Sequence, residues 1–292
     1  MIRLTHRDWA LSLNPALGAA VTRLTWRDRD ILRPAPDDTR DLLATGSFPL
    51  APYANRIADG AFTFEGRDLR LPPTPGFEPH ALHGVGWRRP WRVAGATENS
   101  VDLDLEQAVS DEWPWSWTAR HRVALTENGV VFDLEIANRD TRPMPAGLGL
   151  HPYFAANGTT VLTVPADRVW SADARQIPTA LAPPESLIDW SAGVRLADAP
   201  FVDNAYAGWS GAAVLDHADC RVTMTASGNA RWAHVYAPPG EGFVCVEPVT
   251  HRPDAHNAPE GEASGLIVLL PGQTLSMSMR ITAEPPAAGD RS

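Results

Sequence analysis

Proline is distributed along most of the chain, and this limits the folds that the sequence can adopt. The 292 residues include 27 prolines, about one in every eleven. Because proline lacks a backbone N–H donor and breaks helix interiors, few windows leave room for a helix of ordinary length. We therefore expect little helix and a fold built from strands and loops.

Windows without proline alternate apolar and polar side chains. From Val101 to Leu105, aliphatic residues alternate with aspartates, a period of two that is typical of half-buried strands. Two segments also predict hairpins. Residues 120–137 have a turn signal at Asn128-Gly129, and residues 60–71 have one at Glu65-Gly66.

Strand and turn signals of this kind continue to about Thr282, and no linker-like tract divides them. We therefore predict one all-β domain over residues 1–282, a large antiparallel β-sandwich. Residues 283–292 are rich in Pro, Ala and Gly and are expected to form a flexible tail.

The charged residues exclude several classes of protein. All 25 basic residues are arginine, so enzymes that need a lysine Schiff base and phosphate loops of the G-x-x-x-x-G-K type are excluded. The 35 acidic residues give a net charge of -10, which argues against nucleic-acid binding. No apolar run approaches the roughly 20 residues that cross a bilayer. We expect neither nucleic acid nor a membrane as a partner.

The chain has two cysteines, Cys220 and Cys245, which are too few for a disulfide framework. Residues 1–17 lack the basic and then apolar pattern of a signal peptide. We expect two buried free thiols and a location in the reducing cytoplasm.

The segment Ala146 to Phe154 combines glycines with a histidine. In a strand, Gly147, Gly149 and His151 would share one face, and the glycines would leave a depression in front of the imidazole. A histidine packed at a strand end beside a bulge explains the same pattern. His151 is thus a candidate for acid–base chemistry.

The segment Gly242 to Pro248 ends an apolar strand with a carboxylate. Phe243, Cys245 and Glu247 would share one face. A carboxylate on an apolar face has a raised proton affinity, which suits a general acid or base. A structural salt bridge to an arginine is the alternative. Glu247, like His151, precedes proline, so its backbone is expected to be extended.

His83 is a third candidate, with His80 three residues before it. This spacing is a weak metal signal, since zinc sites need three or four ligands and the sequence contains no matching Cys/His cluster. We predict no metal. The following run from Trp87 to Arg92 mixes tryptophan and arginine, which fits either phosphate recognition or a charged edge strand.

Three polar residues lie among apolar and aromatic neighbours: Asn55, Arg56 and Asp203. Bidentate donors and carboxylate acceptors of this kind are suited to a ligand with many hydroxyl groups. Asn and Asp are also common in turns, so a purely structural role stays open.

In this order, five segments resemble the aldose 1-epimerase (galactose mutarotase) family, and the resemblance covers about residues 12–282. The segments are PYANRI, HALHG, GLGLHPYF, FVDNAY and VEP. The resemblance implies a β-sandwich of galactose-mutarotase type and an isomerase that interconverts the α and β anomers of a free aldose without a cofactor.

The same resemblance implies roles for individual residues. Glu247 is expected to take the proton from the C1 hydroxyl, and His151 to protonate the ring oxygen. His83 is expected to act as a second active-site histidine. Arg56 and Asp203 are expected to bind sugar hydroxyls, with Asn55 a less direct contact.

Several alternatives stay open at this point. The arginines after His83 leave room for a hexose-6-phosphate substrate. The same sandwich would also serve a sugar-binding protein without turnover, and Asp203 is the candidate second carboxylate for a glycoside hydrolase. The sequence identifies neither the preferred sugar nor whether the protein is a monomer or a homodimer.

Overall fold

The computed structural model describes residues 1–286 of the chain. Strands account for most of its regular structure: β1 Ile2–His6, β2 Trp9–Asn14, β3 Ala20–Trp26, β4 Arg29–Asp30, β5 Pro49–Leu50, β6 Arg56–Ile57, β7 Ala61–Phe64, β8 Arg67–Arg70, β9 Ala81–Leu82, β10 Arg92–Ala96, β11 Ser100–Gln107, β12 Trp117–Thr126, β13 Gly129–Asn138, β14 Met144–Ala146, β15 Gly149–Leu150, β16 Tyr153–Ala155, β17 Val161–Thr163, β18 Arg168–Ala172, β19 Pro178–Ala182, β20 Val194–Arg195, β21 Val202–Ala207, β22 Ala212–Asp216, β23 Arg221–Ala226, β24 Trp232–Ala237, β25 Phe243–Val249, β26 Ile267–Leu269 and β27 Thr274–Glu284.

Two large antiparallel sheets dominate the fold. One has nine strands in the order β10-β11-β12-β13-β27-β23-β22-β17-β20. The other has eight, in the order β19-β18-β21-β24-β25-β15-β5, with β16 also paired to β25. A four-stranded sheet of β1 to β4 and the two-stranded pairs β14-β26, β6-β9 and β7-β8 complete the structure of the described residues.

The inward faces of the two large sheets form one hydrophobic cluster. Leu103 and Phe132 of the nine-stranded sheet belong to the same cluster as Val235 and Val246 of the eight-stranded sheet. Each fully buried side chain of this type stabilises the fold by about 1.5–3 kcal/mol. The two sheets therefore pack face to face, which confirms the predicted antiparallel β-sandwich.

The predicted hairpins are present, with one difference in a turn. β7 and β8 pair up to Phe64 and Arg67, so Glu65-Gly66 is the turn, as expected. β12 and β13 pair up to Thr126 and Gly129, so the turn residues are Glu127 and Asn128 rather than Asn128-Gly129. Gly129 is the first residue of β13, where a Cβ would lie 2.1 Å from the Ile281 carbonyl oxygen.

Helical structure is confined to six 3₁₀ segments in residues 1–286, which confirms the prediction of little helix. They are Leu42–Ala44, Ala58–Gly60, Gly86–Arg88, Pro184–Ser186, Leu196–Asp198 and Ala255–Asn257. No helix among these residues is long and apolar enough to span a membrane.

The last strand extends further than the sequence indicated. Ala283 and Glu284, assigned to the flexible tail, are the final residues of β27 and pair with β23. Pro285 and Pro286 follow outside the strand, and the remaining predicted tail, 287–292, lies outside the described residues. Cys220 and Cys245 are buried free thiols, as expected.

Candidate active site

The structure brings His151 and Glu247 together, although 95 residues separate them in the chain. Glu247 lies on β25, and His151 directly follows β15, which pairs with β25 through Gly149 and Val249. His151 Nε2 is 3.3 Å from Glu247 Oε1. The partner of Glu247 is therefore a histidine, and not an arginine as a structural salt bridge would require.

The alternation of β25 explains why Glu247 reaches this site. Val244 and Val246 point into the main core, whereas Phe243 and Cys245 contribute to a smaller apolar cluster on the opposite face of the sheet. Glu247 shares the face of Phe243 and Cys245, as its spacing predicted. The site thus lies on the face of the eight-stranded sheet that is turned away from the main core.

The two glycines before His151 have a different function from the one predicted. The segment is divided among β14, β15 and β16, so it is not one continuous strand. A Cβ on Gly147 would lie 1.9 Å from the ring of His251, and one on Gly149 would lie 2.8 Å from Val249. The glycines make room for these neighbouring side chains, not for a ligand in front of His151.

Aromatic rings hold the His151 side chain in place. The Tyr153 ring is stacked on the imidazole with centroids 4.6 Å apart, and the Phe48 ring lies 4.8 Å away on centroids. Ordered packing of this kind restricts the rotamers of His151. The imidazole is therefore oriented toward Glu247 by its surroundings.

Burial shifts the proton affinities of this pair in opposite directions. It raises the pKa of Glu247 to about 8, although the positive charge of His234 opposes the shift. Burial and the charge of His234 lower the pKa of His151 to about 3. At neutral pH Glu247 is therefore protonated and His151 is an uncharged imidazole, so the pair has no net charge. Glu247 Oε2 and His151 Nδ1 are buried without a hydrogen-bond partner among residues 1–286.

His83 is held by a reciprocal contact with Asn55. The Asn55 backbone N–H donates to His83 Nδ1 at 2.9 Å, and the His83 backbone N–H donates to the Asn55 carbonyl oxygen at 2.9 Å. Nδ1 is thus an acceptor, so the proton of the neutral ring is on Nε2. Burial, followed by the charges of His151 and Arg56, lowers the pKa of His83 well below 6.5. His83 is therefore a neutral N–H donor.

The tautomer of His83 affects whether the site can bind a metal ion. Ligand atoms of His83, His151 and Glu247 all lie within 4.8 Å of one another, a spacing that would suit a metal ion. However, Nδ1 of His83 already accepts a hydrogen bond and Nε2 carries the proton, so His83 has no free lone pair to offer. Two ligands are fewer than zinc sites use, and the cluster favours proton transfer over metal binding.

A second carboxylate–imidazole pair lies beside the first. His234 Nε2 donates to Asp203 Oδ1 at 2.7 Å, and an Arg56 terminal nitrogen is 3.5 Å from Asp203 Oδ2. Burial alone would lower the pKa of His234, but Asp203 and Glu247 raise it above 6.5. Burial alone would raise the pKa of Asp203, but His234 and Arg56 lower it. The second pair is therefore ionic.

The sequence reasoning missed His234. The residue lies on β24 directly opposite Glu247 on β25, and it is 3% exposed. Its strand, Trp232–Ala237, is otherwise apolar or aromatic. An ionisable residue inside an apolar strand is the same signal that identified Glu247, so the sequence did contain a means of finding it.

One cavity of about 570 Å³ is lined by all six predicted site residues and by His234: Glu247, His151, His83, Arg56, Asp203, Asn55 and His234. A larger depression of about 670 Å³ lies on the nine-stranded sheet. That surface carries charges that already pair with one another, such as Arg122 with Asp102 at 2.7 Å. The cavity on the eight-stranded sheet is thus the candidate active site.

The other polar residues that the sequence singled out, His80 and the arginines after His83, do not line this cavity. His80 Nδ1 accepts the Asp59 backbone N–H at 3.0 Å. Arg88 and Arg89 both bind Glu112, and they belong to a 3₁₀ turn and its end rather than to the predicted edge strand. Arg92 does lie on β10, at the edge of the nine-stranded sheet.

The sequence is similar to those of known proteins. The sequence profile of the aldose 1-epimerase family matches residues 1–282. The chain is 28% identical to the uncharacterized protein YphB of Escherichia coli over 273 residues, 89% of this chain and 91% of YphB. It is 27% identical to the aldose 1-epimerase of Escherichia coli over 161 residues, 53% of this chain and 45% of that enzyme.

Solved structures share the fold. A galactose mutarotase-like protein from Clostridium acetobutylicum has a TM-score of 0.85 at 18% identity, covering 97% of this chain and 94% of that one. The GalM/aldose epimerase homologue from C. elegans has a TM-score of 0.82 at 18% identity, covering 98% of each chain. The fold is therefore of the galactose-mutarotase type. Because the family profile spans almost the entire sequence, the chain belongs to the aldose 1-epimerase family.

Proposed function

We propose that this protein is a mutarotase that interconverts the α and β anomers of a free monosaccharide. The observation that carries the proposal is the buried Glu247–His151 pair, 3.3 Å apart at the cavity wall, with one polar atom of each side chain unpaired among the described residues. Opening a cyclic hemiacetal requires proton removal at one oxygen and proton delivery at another oxygen of the same carbon. The pair provides one group for each transfer.

In the proposed reaction, Glu247 takes the proton of the C1 hydroxyl while His151 delivers a proton to the ring oxygen. This requires the proton of Glu247 to pass first to His151, so that Glu247 becomes a carboxylate and His151 an imidazolium while the pair keeps zero net charge. Burial and Asp203 favour the protonated form of Glu247, whereas the positive charges of His234 and Arg56 favour the ionised form that this arrangement needs. After rotation about the C1–C2 bond, the ring closes on the other face and the two groups exchange roles. Each such group contributes about 10² to 10⁴ in rate.

The remaining residues bind and orient the sugar. His83 presents an N–H donor toward the reacting oxygens, and Arg56 and Asp203 bind sugar hydroxyls as donor and acceptor. The Asn55 side-chain oxygen accepts the Arg56 backbone N–H at 2.8 Å, so Asn55 serves mainly to position His83 and Arg56. Arg88 and Arg89 are engaged with Glu112, which favours a neutral sugar over a hexose 6-phosphate.

Polarimetry tests this proposal. Freshly dissolved, anomerically pure galactose, glucose, xylose, arabinose and fucose are followed with and without the protein. We expect faster relaxation of the optical rotation for at least one sugar, and loss of the acceleration in Glu247→Gln. Unchanged relaxation across all five sugars would contradict mutarotase activity. Binding measured by calorimetry without any acceleration would instead indicate a sugar-binding protein.

A further inference from the structure

The aromatic ring that is stacked on His151 also carries a cation. The planes of the Tyr153 ring and the His151 imidazole are only 12° apart, with centroids separated by 4.6 Å. The guanidinium carbon of Arg33 lies 4.0 Å from the centroid of the same Tyr153 ring and 4.5 Å from that of Phe243. Arg33 and His151 are therefore linked through one aromatic side chain.

The backbone and the side chain of Arg33 are both fixed at this ring. The backbone N–H donates to the Tyr153 carbonyl oxygen at 2.8 Å, which sets the spacing of the two residues. A terminal nitrogen of the side chain donates to the Thr45 carbonyl oxygen at 2.8 Å and to that of Leu43. With these contacts the guanidinium has few alternative positions.

The charge of Arg33 is not balanced by an acidic side chain. Its polar contacts among residues 1–286 are carbonyl oxygens, and its Nε atom is buried without a partner there. Arg27, which lies over the Trp26 ring at 4.6 Å, instead pairs with Asp8 at 2.7 Å. A half-buried cation without a counter-ion is costly, and a neutral amide could bind the same carbonyls. Its positive charge therefore points to an electrostatic role.

That role concerns the imidazole of His151. The titratable groups that face this ring come from four segments: Glu247 on β25, His234 on β24, Asp203 on β21 and His83 after β9. Burial is the main cause that lowers the pKa of His151 to about 3. The charges of His234 and Arg33 act in the same direction, whereas Asp203 opposes them. A cation at the Tyr153 ring thus disfavours the imidazolium.

We propose that Arg33 is a positioning residue for His151: through the Tyr153 ring, its guanidinium orients the imidazole and repels an additional proton from it. The pair can accept the proton of the C1 hydroxyl only while Glu247 and His151 are not both protonated. The repulsion therefore keeps the pair able to transfer a proton at acidic pH. The inference rests on the proposed mutarotase function and gives a role in it to a residue outside the proton transfer itself.

Arg33→Met tests the proposal, because methionine retains an apolar chain at the rings and removes the charge. The pKa of His151 should rise by about one unit, so the acid limb of kcat/KM should move from about pH 3 to about pH 4. At pH 4 the wild type should retain about nine tenths of its maximum and the variant about half. The alkaline limb, which Glu247 sets, should stay in place. KM at pH 7 should stay within about twofold, since the guanidinium is engaged with rings and carbonyls.

Histidine NMR measures the same quantity without relying on activity. The protein is labelled with ¹³C at histidine Cε1, and the signal of His151 among nine histidines is assigned by its absence from His151→Gln. Its titration midpoint should rise in Arg33→Met. It should stay near the wild-type value in Arg33→Lys, which keeps a cation at the Tyr153 ring. Thermal unfolding at pH 4 confirms that each variant is folded.

Arg27→Met is the matched control. It also removes one positive charge from above an aromatic ring, but Arg27 and Trp26 do not line the cavity. The change in net charge is the same as in Arg33→Met. Neither limb of the pH profile should move in this variant.

The outcomes separate this inference from the proposed function. An acid limb and a His151 titration that stay in place in Arg33→Met, with mutarotase activity intact, would overturn the positioning role alone. A tenfold rise in KM with the limb unmoved would show that Arg33 binds the sugar directly, and would also overturn it. An equal shift in Arg33→Lys would assign the effect to packing and not to charge. Acceleration of no sugar by the wild type would refute the proposed function, and the inference with it.

Discussion

The cavity contains two carboxylate–imidazole pairs made from the same groups, yet they differ in charge. His151 and Glu247 are 3.3 Å apart, and burial favours the neutral form of each. His234 and Asp203 are hydrogen-bonded at 2.7 Å, and both are shifted toward their charged forms. Asp203 also has Arg56 nearby, whereas Glu247 has a side-chain oxygen left unpaired within residues 1–286.

This difference shows that the ionic and hydrogen-bond partners of each carboxylate, rather than its residue type, decide which pair holds a transferable proton. A carboxylate whose two oxygens are paired with cations stays ionised, and it serves to bind and orient the substrate. A carboxylate that is buried with one weak partner keeps its proton to higher pH and is available for proton transfer. Because His234 lies opposite Glu247 on the neighbouring strand, the ionic pair also influences the neutral one.

The largest effect is expected from removing the proton-transfer group of the neutral pair. Glu247→Gln retains the shape of the side chain but cannot exchange a proton, so kcat/KM should fall about 10³- to 10⁴-fold. Polarimetric kinetics measure the loss, and circular dichroism confirms that the fold is retained. A residual activity above one tenth would show that Glu247 is not the transferring group.

Breaking the ionic pair of His234 and Asp203 should lower kcat/KM less than Glu247→Gln does. Asp203→Asn removes a hydroxyl acceptor and the counter-ion of His234, whose pKa should then fall because only Glu247 still opposes the effect of burial. We expect kcat/KM to decrease about 10- to 100-fold, mainly through KM. Steady-state kinetics separate the two constants. A loss as large as that of Glu247→Gln would place Asp203 in the proton transfer itself.

The pH dependence tests the coupling between the pairs. Since the pKa of Glu247 is raised to about 8, the pair keeps the titratable proton of Glu247 below that pH and loses it above. Activity should therefore fall about tenfold per pH unit above about 8. In His234→Gln the cation that lowers the pKa of Glu247 is absent, so this limb should move to higher pH. A limb that stays in place would show that the two pairs are independent.

A folding control accompanies this variant, because His234 is buried. Thermal unfolding of His234→Gln is measured beside His234→Asn, which places a shorter amide in the same position. If either variant retains the wild-type melting temperature, its pH profile reports on charge and not on partial unfolding. Loss of activity at every pH with the limb unmoved would contradict the coupling.

The sequence identified the strands because alternation within one strand is visible in the chain, and it identified the six cavity residues from five short segments that resemble those of one family. Glu247 was recognised as an ionisable residue on an apolar strand, and His151 from its glycines and proline. The predicted role of Gly147 was wrong. The space beside this glycine is filled by the side chain of His251, which comes from a distant segment. The tautomer of His83 depends on the backbone N–H of Asn55, 28 residues away, which no local pattern encodes.

The smallest effect is expected at Arg56, the outer partner of the ionic pair. Its terminal nitrogen is 3.5 Å from Asp203, longer than the 2.7 Å hydrogen bond from His234, so Arg56 contributes less to holding Asp203. Arg56→Lys keeps the positive charge but loses the planar fork that donates to two atoms at once. We expect KM to rise about two- to fivefold, with the alkaline limb of the pH profile unchanged. A shift of that limb as large as in His234→Gln would mean that the position of the Arg56 charge, and not the His234 cation, sets the proton affinity of Glu247.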